Sequence, residues 1–500
     1  MKYFNINRRI CGAILAVIVA CTGCKKDFLD VNDDPNRATD KNISAELLFP
    51  QAANGVGARL GSTNLEFIQN WIGYMSASGD FAIEQDETTY NISFSFGDVL
   101  WENNYNVLFD LYLTKHKALA AGDTVLAGAS MILSARLWQD LVDIFGNIPY
   151  SQAFQTNTYR RPAYDNGRDI YADLQKRLDT AVTYMNATAK ASFKTIDIVN
   201  GANKTLWVKF ANTLKLRMLL RQSEMNGFNP AAEISKIAAN GGVLGAGESI
   251  DVNPGYVNEN NKQSPFYANY GLTPTGAEAS TSTRANNYFI NLLVTNNDPR
   301  LERFYAPTEN DPNVIAGTDY GLPEGNPDGA HSSNMGPGIA GSASQNQWIL
   351  PSFESLFMKA EAIARGWLPG NAQTAYEAAV TESFVWLGVD NATAEAADYL
   401  QHADIANWAN AGASVLEQAK FIALQKYIAL CGIDPVEAWS DIRRLNMMPD
   451  DGYLSHNPAR LRDQIPVRLL YPQSEYTTNG PNVRTQGDIN QFDSKIFWQP

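Results

Sequence analysis

Histidine and cysteine are scarce in this 500-residue chain, with four of each. The histidines stand singly at His116, His331, His402 and His456, so no paired-imidazole metal site can be read from their spacing. Cys21 and Cys24 form a C-x-x-C pair, but no second pair follows and no thioredoxin-like strand–helix pattern surrounds it. Zinc and dithiol chemistry therefore lack partner residues. The G-x-S-x-G elbow, the P-loop and the G-x-G-x-x-G fingerprint are also missing, which removes the common hydrolase, nucleotide and dinucleotide signatures. Lys and Arg total 39 against 53 Asp and Glu, a formal charge of −14. An acidic chain of this kind is a poor nucleic-acid binder. After residue 24 no apolar run reaches the roughly 20 residues needed to span a bilayer.

What the amino terminus does contain is an export signal. Lys2, Arg8 and Arg9 precede a short apolar run from Ile10 to Ala20, which is the layout of a secretory leader. Small residues stand before both cysteines, Ala20 before Cys21 and Gly23 before Cys24, as suits a peptidase that cleaves ahead of a lipid-bearing thiol. Cys24 opens directly onto the charged Lys25-Lys26-Asp27 and is the expected anchor, with Cys21 as the alternative. The expected division is a leader over 1–23 and one α-rich domain over 24–500. Two or three acyl chains hold a protein durably on a membrane without a spanning helix.

Helical periodicity runs to about residue 225. Trp101, Tyr105, Leu108 and Tyr112 recur at 3–4 spacing, as do Met131, Ala135, Trp138 and Leu141, with Gly146 as a stop. Ile170, Leu174, Leu178, Ala181 and Met185 mark another helix, and Trp207, Phe210, Leu214 and Met218 a further one. Periodicity returns with Phe353, Leu356, Ala360, Ile363 and Trp367, then with Tyr376, Val380, Phe384 and Leu387. Ser414 and Glu417 have capping-box spacing before "AKFIALQKYIALCG". Paired helices with broad apolar stripes predict stacked tetratricopeptide-like hairpins, a mostly α fold. Trp138, Trp207 and Trp367 are expected in its core.

Between about 228 and 347 the chain turns rich in Asn, Gly, Ser, Thr and Pro. Loops this long in a compact domain usually carry function. Tyr256, Phe266, Tyr267, Tyr270 and Tyr320 there, with Tyr90 and Phe94 before the Trp101 helix, have no period that would bury them. They are expected to expose rings for sugar C–H faces, with neighbouring Asn, Asp and Gln for the hydroxyls. The stretch "DVNDDPNRATD" is not an EF-hand, because Pro35 and Lys41 occupy the positions of the turn glycine and the bidentate glutamate. A non-EF calcium site among the Asp- and Asn-rich loops stays open, as does a two-carboxylate glycosidase, whose mechanism depends on separation in space.

Several segments taken together resemble the SusD/RagB family of outer-membrane nutrient-binding lipoproteins, in particular its second SusD-like group. They are "CKKDFLDVNDDPN" at 24–36, "RLWQDLVDIFGNIPYSQAF" at 136–154, "RPAYDNGRDIYADLQKRLDTA" at 161–181, "FMKAEAIARGW" at 357–367, "LQKYIALCGIDPVEAWSDIRRL" at 424–445 and "IPVRLLYPQSEYTTN" at 465–479. The resemblance implies four tetratricopeptide-like helix pairs and lipid-anchored exposure on the bacterial surface. It also implies a SusC-like, TonB-dependent transporter as partner and an oligosaccharide, or in some relatives a peptide, as non-catalytic cargo. No fixed ligand-binding motif transfers with it.

Overall fold

The computed structural model describes residues 43–500, so the leader, Cys21, Cys24 and the acidic stretch at 30–40 lie outside the described residues. The first half is helical: α1 (Ala45–Leu60), the short α2 (Glu66–Trp71), α3 (Asp98–Ala120), α4 (Thr124–Phe145), α5 (Gly167–Met185) and α6 (Lys204–Arg221). Each boundary has a local cause. Asp123 caps α4 by accepting from the Leu126 N–H at 3.0 Å, and Gly146 ends that helix at φ +80°, a backbone setting that suits glycine. Asn166 and Asn203 cap α5 and α6 in the same way.

The second helical half comprises α7 (Ala231–Ala239), α8 (Pro265–Tyr270), α9 (Asn287–Thr295), α10 (Ser352–Ala364), α11 (Ala372–Leu387), α12 (Ala392–His402), α13 (Val415–Ala429) and α14 (Pro435–Leu445). The expected capping box is formed: the Glu417 N–H donates to Ser414 Oγ at 3.2 Å and the Ser414 N–H to Glu417 Oε2 at 2.8 Å. Helix α3 packs on α4, α4 on α5 and α5 on α6. In the later half α10 packs on α11 and α13, and α13 on α14. Helix α14 also touches α2, α4 and α6, which ties the halves together. The mostly α fold of stacked hairpins is thus observed, and Ala45–Pro500 forms one compact unit. Trp138 and Trp207 are buried as expected. Trp367 instead falls beyond α10, half-buried against a small cluster from α6, α7 and α10.

The stretch from 228 to 347 is stitched to the helices at named points. Strand β1 (Met75–Ala77) pairs antiparallel with β5 (Thr283–Ala285), setting Met75 opposite Ala285, and β4 (Ile250–Val252) pairs with β6 (Gln347–Leu350). The pair β2 (Ile148–Pro149) and β3 (Tyr164–Asp165) lies outside that stretch. Side chains complete the attachment: Tyr305 donates to the Tyr74 carbonyl at 2.6 Å, and Gln347 Oε1 accepts from the Phe266 N–H at 2.9 Å.

At the junction of α4, α6, α10, α13 and α14 the core is ionic. Arg136, Asp140, Arg217, Glu437, Asp441 and Arg444 are each at most 2% exposed. Arg136 pairs with Asp140 and Asp434, Lys426 with Glu437 and Asp441 at 2.6 Å each, and Arg444 with Glu361 at 2.6 Å. Buried charge persists only where partners and hydrogen bonds replace water. Here helical spacing supplies the partners: Asp434 caps α14, Glu437, Asp441 and Arg444 follow along one face of it, and Arg217 and Arg221 stand one turn apart on α6.

Candidate functional site

Polar side chains left facing a cavity mark the site more sharply than aromatic content does. Two cavities show the contrast. One, of about 350 Å³, lies between α3, α4 and α5 and is lined by Tyr112, Trp138, Tyr150, Phe154 and Arg177. Its groups serve one another: Trp138 and Tyr150 meet at 4.9 Å, Arg177 covers the Tyr150 ring at 4.5 Å, and Arg177 pairs with Asp173 at 2.6 Å.

The other, of about 500 Å³, opens where the segment 77–88, α2 and the loop at 320–321 converge. Glu66 and Asn70 enter it from one face of α2, four residues apart, while Phe67 and Trp71 on that helix are buried. The segment after β1 brings Phe81, Glu84 and Glu87. Phe81 is 45% exposed and its ring walls the opening, the arrangement expected of a platform for an apolar ligand face. Gly321 closes the far side at φ +73°, and a Cβ there would meet Ser455 Oγ at 2.0 Å. Only glycine fits.

The electrostatics of this cleft are those of under-compensated carboxylates. Burial raises Glu87 to about 7, with the nearby Glu66 and Glu84 adding to the effect and the Asn70 amide, donating to Oε1 at 2.8 Å, opposing it. Burial also raises Glu66, against hydrogen bonds from Thr283 Oγ1 at 2.9 Å and Tyr270 at 3.0 Å. Among the described residues no basic side chain lines the cleft. The arrangement offers acceptors and one apolar wall. Among the described residues no group of three or more His, Cys, Asp or Glu is placed to hold a metal ion, and no helix is long and apolar enough to cross a membrane.

The seven aromatic residues singled out from sequence are placed unevenly. Tyr320 lines the cleft, 3% exposed, its hydroxyl donating to the Glu87 carbonyl at 3.1 Å. Tyr270 supports the cleft from behind through Glu66. Exposure, the premise for choosing these rings, does not hold for Tyr90, Tyr256, Phe266, Tyr270 or Tyr320, which are all buried. The reason is local anchoring. The Tyr90 hydroxyl accepts from the Ser455 N–H at 2.8 Å, Tyr256 donates to Asn54 Oδ1 at 2.5 Å, and Phe266 packs on Trp348 at 4.9 Å. Tyr267 is half-buried against Gly271. Phe94 is 44% exposed but meets Tyr476 at 4.9 Å, outside the cleft. Sequence reasoning missed Glu66, Asn70, Phe81, Glu84 and Glu87. The available signal was the acidic, turn-rich "GDFAIEQDET" between β1 and α3.

The family model described as "Starch-binding associating with outer membrane" matches residues 35–472. The chain belongs to the SusD-like family. This places it among proteins described as outer-membrane associated. Solved structures share the fold at low identity. A chitin-binding SusD homologue from Flavobacterium johnsoniae is 22% identical with a TM-score of 0.76, covering 91% of this chain and 98% of that one. A SusD/RagB family protein from Bacteroides thetaiotaomicron is 19% identical at 0.74, covering 91% and 99%. A SusD homologue from Bacteroides fragilis is 22% identical at 0.72, also covering 91% and 99%. No curated protein matches the chain by sequence.

Proposed function

We propose that this SusD-like chain is a non-catalytic receptor that captures an oligosaccharide in the 500 Å³ cleft and delivers it to a SusC-like, TonB-dependent transporter. The observation that carries the reading is the cleft itself: an exposed Phe81 ring beside Glu66, Asn70, Glu84 and Glu87, whose oxygens can accept from sugar hydroxyls. Stacking one sugar face covers roughly 50–80 Å² of apolar surface, which at ~25 cal/mol/Å² contributes about 1–2 kcal/mol. The family description and the chitin-binding homologue support a glycan as cargo.

Tethering belongs to the same proposal. Lipid on Cys24, or on Cys21, holds the protein at the outer face of the outer membrane and keeps it in one plane with its transporter. That raises their effective concentration without a large interface. Calorimetry against an oligosaccharide panel tests the cargo: wild type binds at least one glycan, and no panel member is hydrolysed. Turnover abolished by Glu87→Gln would make the protein a glycosidase, and peptide binding with no glycan binding would make it a peptide receptor. Mass spectrometry of the native amino terminus tests the anchor, and co-purification with a barrel protein tests the partner.

A further inference from the structure

Among the described residues, every ionisable side chain lining the cleft, apart from the Tyr320 phenol, is a carboxylate: Glu66, Glu84 and Glu87. Two basic groups on neighbouring elements are engaged elsewhere. Arg284 on β5 pairs with Glu278 at 3.0 Å, and Arg460, beyond Tyr90, pairs with Asp463 at 2.6 Å. Carboxylates brought together without a cation cost free energy that an incoming positive charge relieves.

A second observation is independent of the charges. Asn70 lines the same cleft at 8% exposure, donates an amide N–H to Glu87, and leaves its carbonyl oxygen without a hydrogen-bond partner among the described residues. A buried amide oxygen left unpaired is uncommon and asks for a donor. The site as built lacks a compact cation with several N–H donors. An ammonium group carries three.

From these observations we infer that the cargo carries free amines: the cleft selects an amino sugar with an unsubstituted ammonium group, held by Glu66, Glu84, Glu87 and the Asn70 carbonyl beside the Phe81 wall. The inference rests on the glycan reading above and narrows it to cationic oligosaccharides. N-acetylation removes the charge and two of the donors, so the two forms of one sugar differ in the feature the cleft reads. Burial lowers the acidity of Glu87, holding its proton up to about pH 7, and an ammonium group beside it would favour the charged carboxylate.

The test uses the full-length protein in calorimetric titrations at pH 7 with glucosamine hexamer, N-acetylglucosamine hexamer, maltohexaose and oligolysine. A charge-assisted hydrogen bond contributes about 1.5–3 kcal/mol, so glucosamine hexamer binds at least about tenfold tighter than its acetylated form. Glu84→Gln, at an exposed position, brings that ratio towards unity, and Glu87→Gln does so independently. Equal or tighter binding of the acetylated or neutral hexamer overturns the amine inference and leaves the glycan receptor standing. Binding of oligolysine with no hexamer bound, or no binding at all, overturns both.

Discussion

Two regions of this protein are rich in carboxylates, and they treat them oppositely. In the ionic core burial alone would raise Glu437, yet Arg217, Arg221 and Lys426 pull it well below the usual carboxylate range. Burial is likewise outweighed at Glu361, which Arg444 and Arg365 hold at about 2. In the cleft no cation among the described residues pairs with Glu87, and burial raises it to about 7. The residue type is the same, and the state follows from whether a helix face delivers a guanidinium or ammonium group to it. Paired carboxylates fasten helices together; unpaired ones are available to a ligand. Glu354 is the instructive exception, a core residue with the character of a cleft residue. Burial raises it, Arg217 at 3.8 Å opposes this only in part, and Asp434 and Glu437 push it up further, to about 8.

The largest expected effect comes from breaking a core pair. Glu437→Gln leaves Arg217, Arg221 and Lys426 facing one another without their shared carboxylate, and a buried charge deprived of its partner costs about 3–5 kcal/mol. Urea unfolding at pH 7 measures it. A loss below about 1 kcal/mol, the surface-pair range, would mean the network is hydrated and the contrast with the cleft is false.

Glu354→Gln is expected to act in the opposite direction. With a folded-state value of about 8 against 4.5 unfolded, the folded chain holds a proton that the unfolded chain has released between those pH values. Stability therefore falls as pH rises through 4.5–8, and the amide removes that component. The variant matches wild type near pH 4, and its advantage grows steadily as pH rises through that window towards pH 9. Glu87→Gln follows the same rule over 4.5–7, with a smaller gain because its carboxyl is partly open to the cleft. Unfolding curves of both variants across pH settle the order, and a flat difference for Glu354→Gln would put a counter-charge beside it.

How much of this was legible in the sequence depends on which force set each feature. The helices were readable because Trp101, Leu108, Trp207 and Phe210 repeat at the period that buries them, and Gly146 and the Ser414–Glu417 box mark ends by local chemistry. The ionic core was only half readable. Arg136, Asp140 and Asp143 have helical spacing, but a charged stripe is ordinarily solvated, and its burial depends on α6 and α14, far away in the chain. The cleft was least readable. Its wall combines α2, the segment after β1 and the loop at 320–321, brought together by the pairing of β1 with β5, which three-residue strands do not announce. Loop rings such as Tyr90 and Tyr256 looked free because their partners, Ser455 and Asn54, are recruited from distant segments.

The smallest effect separates the two aromatic residues that exposure alone cannot distinguish. Phe81 and Phe94 are 45% and 44% exposed, yet of the two Phe81 lines the cleft, while Phe94 rests edge-on against Tyr476 and its carbonyl accepts from the Gln473 N–H at 3.2 Å. Removing a stacked ring forfeits about 1–2 kcal/mol, so Phe81→Ala weakens glycan binding by roughly tenfold. Phe94→Ala leaves the affinity within about twofold, because an exposed ring packed on its own neighbour contributes to loop order and not to the ligand. Both variants keep the buried core intact, so their unfolding midpoints should coincide with wild type and the comparison isolates binding. If Phe94→Ala were the damaging change, the ligand would lie against Tyr476 and the acidic cleft would have to be given up as the site.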